Sequence, residues 1–208
     1  MADNYASIAF TAAVRQLQER YGSRSSYARL EKHSYVDGLT GAEEDFISQR
    51  DSFYMATFSE NGFPYIQHRG GPKGFVKVLD KHRIGFIDFS GNRQYISVGN
   101  IATNNKVSLI MVDYPSRTRL KTLATAEVVE LKDDPALYAM LDLPEYRFRP
   151  ERMFVLTIEA YDWNCPQHII PRYTVEEIKE VFDAQVGRIE TLEAEIKKLK
   201  KDLKNAGR

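Results

Sequence analysis

Two short loops rich in glycine and cationic side chains hold the residues of this sequence best suited to chemistry. The first, HRGGPKG at 68–74, combines three glycines with Arg69 and Lys73, which is more than a tight turn between strands needs. The second, DFSGNRQYIS at 88–97, follows an apolar strand-like run and contains Arg93. Glycine lets the backbone approach a ligand closely, and guanidinium groups pair with phosphate oxygens. The two loops together indicate a site for one phosphate-bearing anion.

Each loop also has a purely structural interpretation, because ordinary turns commonly contain glycine, asparagine and arginine. In the second loop Asn92, Gln94 and Ser97 would add neutral donors, and the short helix expected after it would offer its positive N-terminal end. Neither loop matches the GxxxxGK[ST] or GxGxxG patterns of common nucleotide sites. The predicted anion site therefore belongs to neither of these two kinds.

A third basic cluster lies in YPSRTRLK at 114–121. Strand alternation would place Arg117, Arg119 and Lys121 on one face of a strand. The alternative is a solvated sheet edge whose charges prevent aggregation.

A fourth cluster, AYDWNCPQHIIPRY at 160–173, carries the one tryptophan of the chain. Trp163 with Asn164, Gln167, His168 and Arg172 would provide an aromatic plane and hydrogen-bonding groups for a heteroaromatic ligand. A strand end anchored by tryptophan and followed by a capped helix explains the same residues.

The sequence identifies no catalytic residue and predicts no metal site. Its four histidines are scattered, and neither HExxH nor CxxC occurs. Cys165 is the sole cysteine, and we interpret it as a packed small residue rather than a nucleophile.

The overall charge excludes several classes of partner. Lys plus Arg and Asp plus Glu both number 29, so we expect neither nucleic acid nor an anionic membrane as a partner. One cysteine, an N-terminus unlike a signal peptide and the lack of an 18-residue apolar run favour a cytoplasmic protein.

The pattern of apolar residues predicts a mainly β protein with helices at both ends. Helical spacing extends from residue 5 to about 21, Thr40 to Glu43 match a capping box, and a helix is expected within 133–143. Six or seven strands, with few helices between them, favour a β-barrel or sandwich. The expected strands are 52–59, 65–69, 74–80, 83–89, 107–114, 120–131 and 152–163.

The C-terminal tail has the spacing of a coiled coil. From a second capping box at 174–177, apolar residues recur at alternating steps of four and three through Leu203, with Gln185 as one polar seam position. This stripe implies a partner helix, and a second copy of the chain is the expected one. The alternative is a helix that folds back on its own domain.

The order of these segments resembles the pyridoxamine 5′-phosphate oxidase-like family. The resemblance rests on MATFSENGFPYIQHRGG, GFIDFSGNRQYISVGNIATNNKVSLIMVDY, RLKTLATAEVVEL and WNCPQHIIPR, and it covers roughly residues 45 to 173. It implies a split β-barrel with Greek-key connections in a homodimer, with FMN at the subunit interface. We therefore expect an N-terminal helical segment at 1–50 packed on the barrel, an FMN-binding barrel at 51–173 and a coiled-coil helix at 174–208.

The resemblance also implies which residues hold FMN. Arg69 matches the family's strand arginine, and Arg93 and Gln94 fall near its phosphate clamp, although the loop here is longer and lacks the clamp lysine. Together with Asn92 and Gln167, which their loops alone suggest, the set expected to bind the cofactor is Arg69, Gly70, Gly71, Lys73, Asn92, Arg93, Gln94, Ser97, Arg119, Trp163, Gln167 and Arg172.

We expect an FMN-dependent oxidoreductase that acts on a small-molecule substrate with NAD(P)H or another electron donor. Vitamin B6 oxidation is not expected, because the family's terminal arginine- and histidine-containing substrate motif is replaced by the heptad tail. The alternatives are a non-catalytic flavin-binding or sensing module, or a barrel that binds haem or a deazaflavin.

Overall fold

The computed structural model describes residues 4–33, 37–163 and 167–206. Within these ranges the chain forms seven helices and seven strands. The helices are α1 (Tyr5–Ala9), α2 (Ala12–Arg20), α3 (Arg24–His33), α4 (Gly41–Ser48), α5 (Ile96–Thr103), α6 (Pro135–Leu141) and α7 (Val175–Ala206). The strands are β1 (Ser52–Phe58), β2 (Pro64–Gly70), β3 (Lys77–Asp80), β4 (Arg83–Phe89), β5 (Lys106–Asp113), β6 (Thr118–Val129) and β7 (Pro150–Trp163).

The strands form one antiparallel sheet in the order β2-β1-β5-β6-β7-β4-β3. Every strand expected from the sequence is present, with bounds shifted by up to three residues. The fold is therefore a mixed β and α fold built on antiparallel strands.

The sheet is strongly curled. β2 lies at one end of the strand order and β4 is the sixth strand along it, yet the Arg69 side chain on β2 pairs with Asp88 on β4. Helix α5 lies beside this junction, because Asn100 donates a buried 2.9 Å hydrogen bond to Thr57 on β1. The curvature brings the ends of β2 and β4 together, and these ends form walls of a polar cavity.

The core follows the alternation of the strands. Residues Phe53, Met55 and Thr57 of β1 are buried, while Tyr54 and Phe58 face outward. Aromatic rings fill the centre: Phe86 stacks on Phe154 with ring centroids 5.0 Å apart and meets Phe53 edge to face at 5.2 Å. Such aromatic contacts add about 0.5–1.5 kcal/mol each beyond burial of apolar area.

The prediction of one helix from residue 5 to about 21 is wrong. The chain breaks at Phe10, and Thr11 starts a new helix because its Oγ1 accepts a hydrogen bond from the Val14 amide. Helix α3 falls within the helical segment expected at 1–50, but it was not predicted as a helix of its own. Its sequence, RSSYARLEKH, is polar, and Glu31 in it pairs with Arg15 and Arg24. Local capping bonds and ion pairs therefore determine where these helices begin and end. The spacing of apolar residues in the sequence does not reveal such interactions.

The chain divides into two compact units, 1–113 with 117–168 and 114–116 with 169–208. The second unit is dominated by α7, whose apolar residues are exposed.

Among the helices described, none is long and apolar enough to cross a membrane. Within the described ranges, no group of three His, Cys, Asp or Glu side chains is placed to hold a metal ion. Asn164 and Cys165 lie outside those ranges.

Candidate functional site

A polar cavity of about 220 Å³ lies in the sheet unit where β2, the β4–α5 loop and the start of β7 meet. The side chains on one face of strand β2 line this cavity: Tyr65, Gln67 and Arg69, which are half-buried. The remaining lining residues are Asp88, Phe89, Gly91, Asn92, Arg93, Gln94, Tyr95, Ile96, Ser97, Val98, Glu151 and Arg152. Polar and charged groups dominate this wall, so the cavity suits a charged ligand.

Arg69 is the most deeply placed cation of the cavity. Its side chain is 9% exposed, and its guanidinium pairs with Asp88 and donates a 3.2 Å hydrogen bond to Gln67. The same group lies 4.7 Å from the ring centroid of Phe154. Its buried Nε has no hydrogen-bond partner among the described residues. A buried donor without a partner costs about 1–3 kcal/mol, so an acceptor at this Nε would stabilise the buried Arg69 side chain.

A chain of ion pairs continues from Arg69 along the cavity wall. Asp88 also accepts a 3.0 Å bond from Arg152, and Arg152 donates a 3.1 Å bond to Glu151. Glu151 further accepts from Ser90 at 2.9 Å and lies 3.7 Å from Arg93 Nε. Three guanidinium groups thus face two carboxylates, which leaves one positive charge in excess.

Arg93 is the loosest member of this network. Its side chain is 55% exposed, and its ion pair to Glu151 is long at 3.7 Å. Exposed pairs of this kind contribute about 0–1 kcal/mol, so turning the guanidinium toward a ligand costs little.

The loop that carries Arg93 has an unusual backbone. Arg93 and Tyr95 have φ values of 59° and 56°, in the left-handed region that non-glycine residues seldom adopt. Tyr95 is also the N-cap of α5, and its side chain makes no capping bond. The Arg152 guanidinium lies 4.9 Å from the Tyr95 ring centroid and packs against this turn. Strained backbone at about 1–3 kcal/mol per residue is common at ligand sites, and an uncapped helix N-terminus favours negative charge.

Five predicted ligand residues line this one cavity: Arg69, Asn92, Arg93, Gln94 and Ser97. The Gly70 backbone lines an adjoining cavity of about 140 Å³ that shares Arg69 and Asp88 with the first. Ser97 is buried, and its hydroxyl donates a 2.7 Å bond to Gln67. In this arrangement Ser97 joins α5 to β2.

The first glycine loop differs from its predicted role. The Gly71 and Gly74 amides donate to the Asp51 and Arg50 carbonyls at 2.9 and 3.0 Å, so they are not directed at an anion. A Cβ on Gly71 would approach Phe75 to 2.7 Å, and Gly74 has φ +75° beside the Ser48 carbonyl. Backbone packing therefore requires these glycines. Lys73 is exposed and does not line the cavity.

The third cluster does not share one face. Strand β6 begins at Thr118, so Arg117 lies in the preceding turn with φ 56°. Arg119 and Lys121 do face the same side of β6, where Lys121 pairs with Asp162 and lies 4.7 Å from the Tyr5 ring centroid. Buried Arg119 Nε has no partner among the described residues, and Arg119 does not line the cavity within one chain.

The fourth cluster is dispersed. Trp163 Nε1 donates a 2.5 Å bond to Glu43, and its ring packs edge-on against Phe46, so it connects β7 to α4. Gln167 is exposed. Arg172 belongs to the second unit, where its guanidinium lies 4.9 Å from the Tyr114 ring centroid. The roles of all twelve predicted residues toward a cofactor stay predictions, including those of the residues that line the cavity.

Glu43 forms the centre of this connection between α4 and β7. Burial opposes its charge, but hydrogen bonds from Thr40, Trp163 and Tyr161 outweigh burial and lower the pKa of Glu43. Burial and the nearby Glu43 charge raise the pKa of Tyr161 to about 12.

We expect Glu43→Gln to destabilise the fold by about 1–3 kcal/mol at neutral pH, because one of the donors now bound to Glu43 loses its acceptor. The lowered pKa of Glu43 means that its contribution is present above the ordinary value of 4.5 and is lost as pH falls through the folded-state value. Urea unfolding at pH 7 and pH 4 measures both effects. Glu44→Gln, at an exposed position of the same helix, is the control and should change stability by less than about 0.5 kcal/mol.

The sequence reasoning missed Gln67, Asp88, Tyr95, Glu151 and Arg152. Asp88 carried a usable signal, because a carboxylate in the apolar run RIGFIDF is buried and must have a cationic partner. Glu151 and Arg152 carried no such signal in the sequence, because their place beside Asp88 depends on how β7 pairs with β4.

A family model described as pyridoxamine 5′-phosphate oxidase matches residues 39–163, which include the whole cavity and all seven strands. The chain belongs to the pyridoxamine 5′-phosphate oxidase family. The resemblance inferred from the sequence is therefore confirmed. No curated protein matches this family member.

Several solved structures are similar to this family member. A putative pyridoxamine 5′-phosphate oxidase from Lactobacillus delbrueckii is 26% identical, with a TM-score of 0.47 over 62% of this chain and 97% of that one. HupZ of Group A Streptococcus is 17% identical, with a TM-score of 0.48 over 65% and 99%. An FMN-binding protein from Syntrophomonas wolfei is 13% identical, with a TM-score of 0.43 over 74% and 98%.

Proposed function

We propose that this family member is an FMN-dependent oxidoreductase that holds the cofactor's phosphate in the cavity between β2, the β4–α5 loop and β7. The observation that carries this proposal is the buried, unpartnered Nε of Arg69 beside an excess of guanidinium groups. A phosphate dianion supplies acceptor oxygens for such donors, and planar guanidinium groups match its geometry.

The residues present fit a phosphate better than a neutral ligand. Arg93 is exposed and weakly paired, so it is free to turn toward an anion. The N-terminus of α5 has no side-chain cap, and Asn92 and Gln94 stand in the loop before it. Asp88 and Glu151 limit the excess charge, and they keep Arg69 and Arg152 oriented. Together these groups favour one compact anion over a long polyanion.

In this proposal Arg69 and Arg93 bind the phosphate. Asp88 orients the Arg69 guanidinium, and Ser97 holds the start of α5 in place through its hydrogen bond to Gln67. Bound FMN supplies hydride and electron transfer, for which the protein contributes binding, orientation and electrostatics. The substrate is a small molecule other than a B6 vitamer, and NAD(P)H or another electron donor is the reductant.

A second copy of the chain is part of the proposal. Small-molecule sites usually span about 300–1,000 Å³, whereas the cavity of one chain encloses about 220 Å³. It therefore accommodates the phosphate end of FMN and leaves the ring to be covered by another surface. Tyr54, Phe58 and Ile66, exposed on the outer face of β1 and β2, give the sheet an apolar surface for a homodimer.

The absorption spectrum of the purified protein tests the proposal. We expect two flavin bands, release of FMN on denaturation, and a rise in melting temperature when FMN is added to stripped protein. Rapid bleaching of the bands by NADH or NADPH supports the enzyme, whereas a redox-inert flavin indicates a non-catalytic module. A Soret band would indicate haem instead, and a colourless protein that FMN does not stabilise would contradict the proposal.

A further inference from the structure

Helix α7 exposes an apolar stripe that only Gln185 interrupts between Ile178 and Leu199. Its 32 residues run without interruption from Val175 to Ala206. Six stripe residues are each between 43% and 63% exposed: Ile178, Phe182, Ile189, Leu192, Ile196 and Leu199. Covering these side chains is strongly favourable, because the hydrophobic driving force grows with the apolar area removed from water.

The stripe has the composition of a two-stranded parallel coiled coil. Its steps of four and three place Phe182, Ile189 and Ile196 at the a positions and Leu192 and Leu199 at d positions. Isoleucine at a with leucine at d favours parallel dimers over trimers and tetramers. Gln185 at another d position is polar. In register it faces Gln185 of the second copy, whereas any shift would bury its amide against an apolar side chain, which is unfavourable.

The charged residues beside the stripe specify the same partner. In a parallel, in-register pair, each g residue faces the e residue five positions later on the other helix. Arg188 at g then faces Glu193 of the second copy, and Glu195 at g faces Lys200 of the second copy. The g and e residues of the preceding heptad, Val181 and Val186, face each other as an apolar pair. These three facing pairs are complementary in charge or in apolar character, and symmetry repeats each one.

We propose that α7 pairs in parallel and in register with α7 of a second copy of this chain. Four interhelical ion pairs and the Ile and Leu layers stabilise the pair, and Gln185 sets its alignment. This interaction is separate from cofactor binding, since none of its residues lines the cavity.

Disulfide crosslinking of the full chain tests the proposal. In a Cys165→Ser background, Leu192→Cys places a thiol at a d position, which in a parallel pair lies opposite its own copy and within disulfide reach. Ala194→Cys is the matched control, because position f points away from the seam. Under mild oxidation we expect a covalent dimer from Leu192→Cys at roughly five times or more the yield from Ala194→Cys. Equal yields from the two variants would overturn the proposal. Monomer from both variants would also overturn it, and this is the result expected of a helix that folds onto its own domain.

Charge reversal tests the register. In the Leu192→Cys chain, Arg188→Glu sets a carboxylate against Glu193 of the second copy, so repulsion should reduce the crosslink. Adding Glu193→Arg restores the opposite charges and should restore the crosslink. Failure of the second change to restore it, or an unaffected yield after the first, would contradict the in-register pair.

Discussion

If FMN binds as proposed, we expect Arg93→Ala to weaken its binding by about 10- to 100-fold, because one charge-assisted hydrogen bond to the phosphate contributes about 1.5–3 kcal/mol. The same substitution leaves the fold nearly unchanged, since Arg93 is exposed and its pair with Glu151 is long. The backbone at this position has φ 59°, which alanine tolerates no better than arginine, so the loop retains its shape. Fluorescence titration of stripped protein with FMN measures the affinity.

Arg83→Ala is the matched control for this experiment. Arg83 is 53% exposed and pairs with the Asp80 carboxylate, as Arg93 pairs with Glu151, but it lies outside the cavity. We expect the control to bind FMN like the parent. Riboflavin adds a second comparison, because it lacks the phosphate and should bind the parent and the Arg93→Ala variant equally. If Arg93→Ala weakened riboflavin and FMN alike, Arg93 would not contact the phosphate.

The sheet was predictable because its signals are local. Alternating apolar residues with turn residues between them indicated each strand, and the Asn61-Gly62 pair placed the first hairpin. The capping box at Thr40 and Glu43 is present as the spacing predicted. The strand order was not available from these signals, because pairing of β1 with β5 and of β4 with β7 depends on contacts distant in sequence.

The site was predictable only in part, for a similar reason. The residue types of the Arg93 loop pointed to an anion, and this loop does face Arg69 across the cavity. The glycines at 71 and 74 pointed to the same chemistry, but neighbouring backbone and the Phe75 ring require them. A glycine needed for packing and one needed for a ligand look alike in sequence. What separates them is where the amide points, and only the folded chain shows that.

Asp88→Asn destabilises the fold by about 3 kcal/mol, because it removes the shared counter-ion of two poorly exposed guanidinium groups. Arg69 and Arg152 are 9% and 14% exposed, so water compensates little of their charge. Asparagine keeps the shape of the side chain, which separates loss of charge from loss of packing. Asp162→Asn is the control: Asp162 and its partner Lys121 are 41% and 28% exposed, so water screens their pair more than it screens Asp88, and we expect a loss of about 1 kcal/mol or less. Urea unfolding of both variants measures the difference.

The same variant links stability to the ligand. With Asp88 neutral, the uncompensated Arg69 charge makes any anion in the cavity a stronger stabiliser of the folded state. Inorganic phosphate should therefore raise the melting temperature of Asp88→Asn by more than it raises that of the parent or of Asp162→Asn, at equal ionic strength with chloride. An equal rise in all three proteins would mean that phosphate does not reach Arg69. A larger rise in Asp88→Asn alone would mean that the buried carboxylate and the bound anion compete for the same guanidinium.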